Sequence, residues 1–451
     1  MRVTLSGFNV ETAADPVRTP EVLTAAYARV SRSEKTLDQL RQDARANVEK
    51  ARRSNESIVY DMGHASIAEH AFFNIDIEEL SRLGLEELEK HRLASYTEKS
   101  QRYVKLDSDW HLPAEWAENS QELTQLHATS VAFYKDLLAA GIEAEDARYY
   151  LPLAVTGQVG LSCNARTAEH LVLRLAASPF AEARELAAQL HAVLKPVVPS
   201  LIRYVAPSDW CRREEAAPWT LLASEEGELE ENVSHEGRPV GRLDLCTAPD
   251  DWDAWVLAHA AVRAGAPFAA ALAGARVLSP EGRAEAFSRL TGGMTAHDPA
   301  PRPFEHVHLT WEWVLSGAAY AQLKRHRLAG ITAAAYDPRL GFTHPAAITG
   351  AHLERARSVV ALSEATAARL AGPGAQYALL SGHRRRLTWT ANLRELVHFS
   401  RLREDAHAQW DIRAFAGALS AAVRAHAPLT GALLAGKDSW SGGTPAPGRT
   451  P

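Results

Sequence analysis

His91-Arg92-Leu93-Ala94 returns 235 residues later as His326-Arg327-Leu328-Ala329, and this echo decides how the chain is built. Working outward, Glu69-His70 returns as Glu305-His306 at an offset of 236, and Asn164-x-Arg166-x-x-x-His170 returns as Asn392-x-Arg394-x-x-x-His398 at an offset of 228. Three separate patches keep their order and nearly their spacing, so the chain reads as two homologous domains of roughly 220 residues each. The first covers residues 1–220 and the second, more diverged, residues 241–436. Residues 221–240 read as an acidic, exposed linker, because 224–239 are almost free of large apolar side chains. The Ser-, Gly- and Pro-rich residues 437–451 read as a disordered tail.

Each half begins with a short strand, at residues 2–5 and 242–245. Residues 70–77 alternate in the manner of a strand, and residues 78–92, with Leu80, Leu83, Leu85 and Leu88, read as an amphipathic helix. Residues 180–194 and 407–423 read as further helices ending near prolines. Helices outweigh strands, which predicts α+β domains and excludes a doubly wound sheet.

The chain has 451 residues, a net charge of −6, three cysteines, 46% hydrophobic and 23% charged residues, a profile expected of a globular protein with a sizeable core. Its most apolar stretch, residues 255–278, is broken by His259, Arg263, Pro267 and Arg276, so no membrane span is expected. No secretory signal is visible, and a cytoplasmic location is expected. The acidic balance disfavours a nucleic-acid polymer as partner. Cys163, Cys211 and Cys246 lack ligand or disulfide spacing, and no metal site is indicated. Cys163 lies beside Asn164, but without a local base it reads as a small core residue.

Several patches could carry chemistry. Gln322, Arg325 and His326 are spaced i, i+3 and i+4, so on one helix they share a face, where a guanidinium beside an amide suits a phosphate or a pyrimidine edge. The same residues also read as a basic helix end that complements the dipole. If residues 95–103 are extended, Glu98, Ser100 and Arg102 point one way and present an acceptor, a hydroxyl and a guanidinium; a polar edge strand is the plainer reading. Asn392 and Arg403 are eleven residues apart, about 1100° of helical rotation, and fall within about 20° of each other. Asn164 and Arg174 are ten apart and about 80° out of phase. The run His383-Arg384-Arg385-Arg386 reads as a solvated loop, with reach to a cofactor phosphate as the alternative.

Together these patches resemble the flavin-dependent thymidylate synthase family, whose signature is R-H-R-x-x-S-x-N-E-x-S-x-R-Y. The first repeat reads Lys90-His91-Arg92-Leu93-Ala94-Ser95-Tyr96-Thr97-Glu98-Lys99-Ser100-Gln101-Arg102-Tyr103, departing only at Lys90 and Thr97. Gly63-His64-x-Ser66-x-x-Glu69-His70, Ala147-Arg148 and Asn164-x-Arg166 are similar to the family's other landmarks. The resemblance covers about residues 1–205, with a diverged copy over about 241–436. It implies two domains, each a small antiparallel sheet with long helices, forming a covalent pseudo-dimer. It implies reductive methylation of dUMP to dTMP, with methylenetetrahydrofolate as methylene donor, FAD supplying hydride, and NADPH reducing the flavin. No enzyme nucleophile is required. A homodimer of pseudo-dimers would replace the family's tetramer.

The departures divide between the repeats. In the first, the family's glutamine is Glu87, its first arginine is Lys90, and Arg174 is out of phase. In the second, Gln322, Arg325 and Arg403 are intact, but Glu-x-Ser-x-Arg-Tyr is replaced within residues 333–338 and the arginine of Ala-Arg becomes Gln376. The resemblance therefore implies one composite nucleotide site per chain, from Glu98, Ser100, Arg102, Arg148, Gln322, Arg325 and Arg403, with Arg403 stabilising the uracil's developing anion and Ser100 positioning the nucleotide. For FAD it implies His64, Ser66, Glu69, His91, Arg92, Asn164, Arg166 and His170 in the first repeat and His326, Arg327, Asn392, Arg394 and His398 in the second. Two other readings stand beside it: the same fold acting on another pyrimidine nucleotide, and a non-catalytic flavin- or nucleotide-binding protein.

Overall fold

The computed structural model describes residues 1–12, 19–106, 109–216 and 229–440. They form two α+β units: Met1–Glu225 with Arg357–Leu379, and Glu226–Ala356 with Leu380–Pro451. A single cut near the acidic segment thus does not divide the chain, because residues 357–379 pack in the first unit. There the indole of Trp116 donates to Gly374 O at 2.7 Å, Leu153 N donates to Leu379 O at 2.8 Å, and Tyr377 donates to Glu182 at 3.1 Å.

The first unit has a sheet of β1 (Arg2–Phe8), β2 (Phe72–Ser81), β3 (Ser95–Glu98) and β4 (Thr156–Asn164) in the order β1-β2-β4-β3, every pair antiparallel. The second has β5 (Val233–His235), β6 (Arg238–Thr247), β7 (His308–Ser316), β8 (Gly330–Tyr336) and β9 (Arg384–Asn392) in the order β5-β6-β7-β9-β8, again antiparallel. Leaving out β5, the two orders are the same, so the sequence repeat is a repeat of topology. Alternation drives both sheets: Phe73, Ile75 and Ile77 of β2 are buried, as are Leu309, Trp311 and Trp313 of β7 and Leu387, Trp389 and Ala391 of β9.

The expected helix over residues 78–92 is shorter, Arg82–Glu89, because β2 continues through a bulge. Glu79 takes φ of 59° and the register shifts between Glu78 and Leu80, which turns Leu80 and Ser81 inward. Ser81 Oγ then accepts from Gly84 N at 2.9 Å and starts the helix. Ser316 repeats that cap on Ala319 N at 3.0 Å, opening the helix Gly317–Leu323.

Three further expectations need correction. The linker is not wholly loop: Val233–His235 and the strand from Arg238 form a hairpin, while residues 221–228 lie outside the described residues. Residues 437–440 of the expected tail are placed, with Trp440 packed over the Arg401 guanidinium at 4.5 Å; residues 441–451 lie outside the described residues. The His383–Arg386 run is no solvated loop: His383, Arg384 and Arg385 are buried at the start of β9. Arg385 sits between the rings of Tyr320 and Tyr336, at 4.5 and 4.6 Å, and donates to Ala334 O at 2.8 Å; Arg384 pairs with Glu231 and Arg386 with Glu312. Partnered guanidiniums tolerate burial that lone charges do not.

Candidate functional site

The second unit gathers its candidates at the start and end of one helix, Leu393–Arg403. Asn392 caps it, its Oδ1 accepting from Glu395 N at 2.9 Å. One turn in, Glu395 Oε1 lies 2.8 Å from Nδ1 of His326, and both side chains are almost fully buried. On the far side of the ring, Arg403 Nε donates to His326 Nε2 at 3.0 Å, and Arg403 Nη1 donates to Gln322 Oε1 at 3.1 Å. Gln322, Arg403, His326 and Glu395 therefore form one hydrogen-bonded row. Burial, with Arg403 and His398 adding repulsion, holds His326 well below the usual imidazole range. Burial likewise pushes Glu395 up to about 7, with His398 opposing.

Arg325 does not join this row. The helix Gly317–Leu323 stops before it, Arg325 is exposed in the turn and His326 is buried; the expected shared face of Gln322, Arg325 and His326 fails because the helical spacing ends at Leu323. Arg327 is exposed beside it, and His398 stands edge-on to His326 at 5.7 Å.

Next to the row is a cavity of about 700 Å³ lined by Asn392, Arg394, Glu395, His398, Arg401 and Lys437, among others. Arg394, in its wall, pairs with Glu305, another lining residue. Arg401 is 5% exposed, and its Nε and Nη2 have no hydrogen-bond partner among the described residues. A buried guanidinium with unfilled donors fits an acceptor-rich, anionic group, as the phosphates of a dinucleotide are.

The first unit is built alike and ends differently. Asn164 caps the helix Ala165–Ala177 through Thr167 N at 2.8 Å, and Arg166 pairs with Glu69 at 2.7 Å, the counterpart of Arg394 with Glu305. His64 and Ser66 are exposed on the turn that leads to Glu69, and Arg92 is exposed. His91 stands edge-on to His170 at 5.6 Å; burial, then His170, Lys90 and Arg174, hold it down to about 3. Arg174 pairs with Glu215 at 2.6 Å and with Glu214, both on the helix Asp209–Ala216. Glu87 is buried, bonded by Ser178 Oγ at 3.1 Å and paired with Lys90.

Residues 95–103 are not extended throughout. Strand β3 ends at Glu98, and residues 101–104 turn, so Glu98, Ser100 and Arg102 do not lie along one strand face. Glu98 is held by Arg82 at 2.5 Å. Arg102 Nε donates to Glu145 at 2.8 Å, Arg102 N donates to Ser100 Oγ at 3.3 Å, and Arg148 Nε donates to Glu145 O at 3.3 Å. Arg148 is buried, and burial with Arg82 and Arg102 nearby brings it down to about 10. Sequence reasoning missed Arg82, Glu145, Glu214, Glu215, Glu395 and Arg401; of these Glu395 stands where the first repeat has Thr167, a difference between the repeats that marks the position but not its partner.

A family model described as thymidylate synthase complementing protein matches residues 14–200 and again residues 268–429. The flavin-dependent thymidylate synthase of Geobacter sulfurreducens is 31% identical over 195 residues, covering 42% of this chain and 83% of that protein. Its counterpart from Saccharolobus solfataricus is 32% identical over 193 residues, covering 42% and 73%. Among solved structures, a flavin-dependent thymidylate synthase from Helicobacter pylori complexed with FAD and dUMP aligns with 46% of this chain and 100% of its own at 22% identity and a TM-score of 0.35. A UMP/dUMP methylase from Streptomyces cacaoi bound with 5-Br dUMP covers 44% and 92% at 17% identity and a TM-score of 0.37.

Proposed function

The chain belongs to the thymidylate synthase complementing protein family, that of the flavin-dependent thymidylate synthases, and from that premise we propose that it methylates dUMP to dTMP at one composite site per chain. Glu98, Ser100, Arg102 and Arg148 of the first repeat and Gln322, Arg325 and Arg403 of the second make that site. Arg102, Arg148 and Arg325 neutralise the nucleotide phosphate, and Glu98, Ser100 and Gln322 orient the nucleotide. Arg403 stabilises the negative charge that grows on the uracil, and a donor aimed where charge develops lowers the barrier.

One contrast carries the reading. Arg403 is anchored by Gln322 and His326, whereas Arg174, one position short of the matching place in the first repeat, is taken up by Glu214 and Glu215. Glu87, where the family has glutamine, sets another carboxylate beside that position, where an anionic nucleotide is repelled.

The cavity lined by Asn392, Arg394 and His398, with the unfilled donors of Arg401, supports a place for part of the FAD. His326 and Arg327 complete the second repeat's FAD set, and His64, Ser66, Glu69, His91, Arg92, Asn164, Arg166 and His170 form the matching set of the first. When bound, the flavin supplies hydride, NADPH reduces it, and methylenetetrahydrofolate is the methylene donor. The chain works as a homodimer of pseudo-dimers in the cytoplasm; no helix among the described residues is long and apolar enough to cross a membrane.

The test is to reduce the purified protein anaerobically, add dUMP and methylenetetrahydrofolate, and assay dTMP while titrating nucleotide sites. Product with about one dUMP bound per chain is expected. Bound flavin without product, or turnover of dCMP or UMP in preference to dUMP, would overturn the assignment.

A further inference from the structure

We propose that Glu395 is a positioning residue for the reaction: it holds the His326 ring in the one tautomer that lets Nε2 accept from Arg403 and so aims the Arg403 guanidinium. The proposal rests on the reading of Arg403 given above.

The hydrogen-bond chemistry of the row leaves little freedom. The Nε–H of arginine can only donate, so Nε2 of His326, 3.0 Å away, must be the bare acceptor. The ring proton is then on Nδ1, and Nδ1 faces Glu395 Oε1 at 2.8 Å. A carboxylate at that distance is the acceptor that fixes the Nδ1–H form, because the tautomer of an imidazole is set by the bond its other nitrogen makes. In the opposite tautomer Nε2–H would face Nε–H of Arg403, two donors with no acceptor between them. His326 is 3% exposed and Glu395 4%, so no bulk water substitutes for a lost partner. Gln322 takes the second anchor, on Nη1.

Glu395 is itself placed by the fold. Its backbone N–H is bound by the Asn392 cap, and its carboxylate lies in the first turn of the helix, where negative charge is favoured. The Phe399 ring, 4.9 Å from that of His326, closes another side of the imidazole.

The first repeat supplies the comparison. Thr167 stands in the place of Glu395, and its hydroxyl donates to Leu93 O at 3.3 Å. The arginine of that repeat, Arg174, pairs with Glu214 and Glu215. The carboxylate and the histidine–arginine bond occur together in one repeat and are replaced together in the other.

The experiment uses the full chain loaded with flavin. Glu395→Ala is expected to lower kcat for dTMP formation about 10- to 100-fold while KM for dUMP stays within about threefold. Glu395→Gln, whose amide oxygen can still accept from Nδ1–H, is expected to restore most of that loss. Ring nitrogen NMR of His326 gives a readout independent of turnover: Nδ1–H with bare Nε2 in the parent chain and in Glu395→Gln, and a mixture of tautomers in Glu395→Ala. A parent chain with Nε2–H, or an Ala variant with the parent kcat, overturns the proposal; if the Ala variant does not fold, the parent spectrum and the Gln variant still decide it. Arg403→Ala with undiminished dTMP formation would instead overturn the reading of Arg403, whatever the His326 spectrum shows.

Discussion

Arg174 and Glu215 form an ion pair of 2.6 Å, and Glu214 binds the same guanidinium. The helix that carries both carboxylates, Asp209–Ala216, thereby gives Arg174 the anionic partners that a nucleotide would otherwise supply. Arg403, one position further along the corresponding helix of the second repeat, is bound by the amide oxygen of Gln322 and the imidazole of His326.

That difference predicts unequal sensitivity. Arg403→Ala is expected to lower kcat for dTMP formation by about 10²- to 10³-fold, the usual loss when one donor to a developing anion is removed. Arg174→Ala is expected to keep the parent rate. Steady-state assays of the two variants check this, and equal losses would rule out a single composite site.

His91 predicts a pH dependence of stability. Burial holds it down to about 3 in the folded protein, against an ordinary imidazole value of 6.5. Above the unfolded value the imidazole is neutral in both states, so its contribution is fully present; as pH falls toward 3 only the unfolded chain binds the proton, and stability is lost at up to about 1.4 kcal/mol per pH unit. Urea unfolding between pH 7 and 4.5 should therefore show a shallower loss in His91→Gln than in the parent chain. Superimposable profiles would remove His91 as a source of acid sensitivity.

Asn392 has two candidate roles that substitutions can separate. Asn392→Ala removes the cap on Glu395 N and is expected to cost about 1 kcal/mol of stability, while Asn392→Ser keeps a capping oxygen. If the amide also donates to the flavin, the Ser variant keeps its melting temperature and loses flavin affinity. A Ser variant that keeps both shows the cap to be the whole role.

The thiols should differ in reactivity. Burial pushes Cys163 up to about 12, whereas Cys246 is exposed. Iodoacetamide is expected to label Cys246 in the native protein and Cys163 only after unfolding, and Cys163→Ala is expected to keep activity. Inactivation by labelling of native Cys163 would contradict its place as a core residue.

The repeat was legible because His91 and His326 stand at the same turn in each half, and the matching strand orders follow from it. Three features were hidden for separate physical reasons. The bulge at Glu79 interrupts an alternation that the side-chain pattern alone carries smoothly into a helix. A run such as His383–Arg386 reads as solvent-facing by charge, and partners far away in sequence, among them the Tyr320 and Tyr336 rings and the Glu231 and Glu312 carboxylates, make its burial tolerable. Glu395 meets His326 across 69 residues, a pairing that no local spacing encodes.

Glu395 and Thr167 occupy one place in two repeats but have separate codons. In an assembly of identical single-repeat chains, a glutamate there is written into every copy or none. Here a substitution in one repeat is inherited by one half of each molecule, and the two halves diverge under different selection. Directed evolution has the same freedom: the Arg403 side can be held fixed while the Arg174 side is recoded, with no need for the two to stay compatible by symmetry.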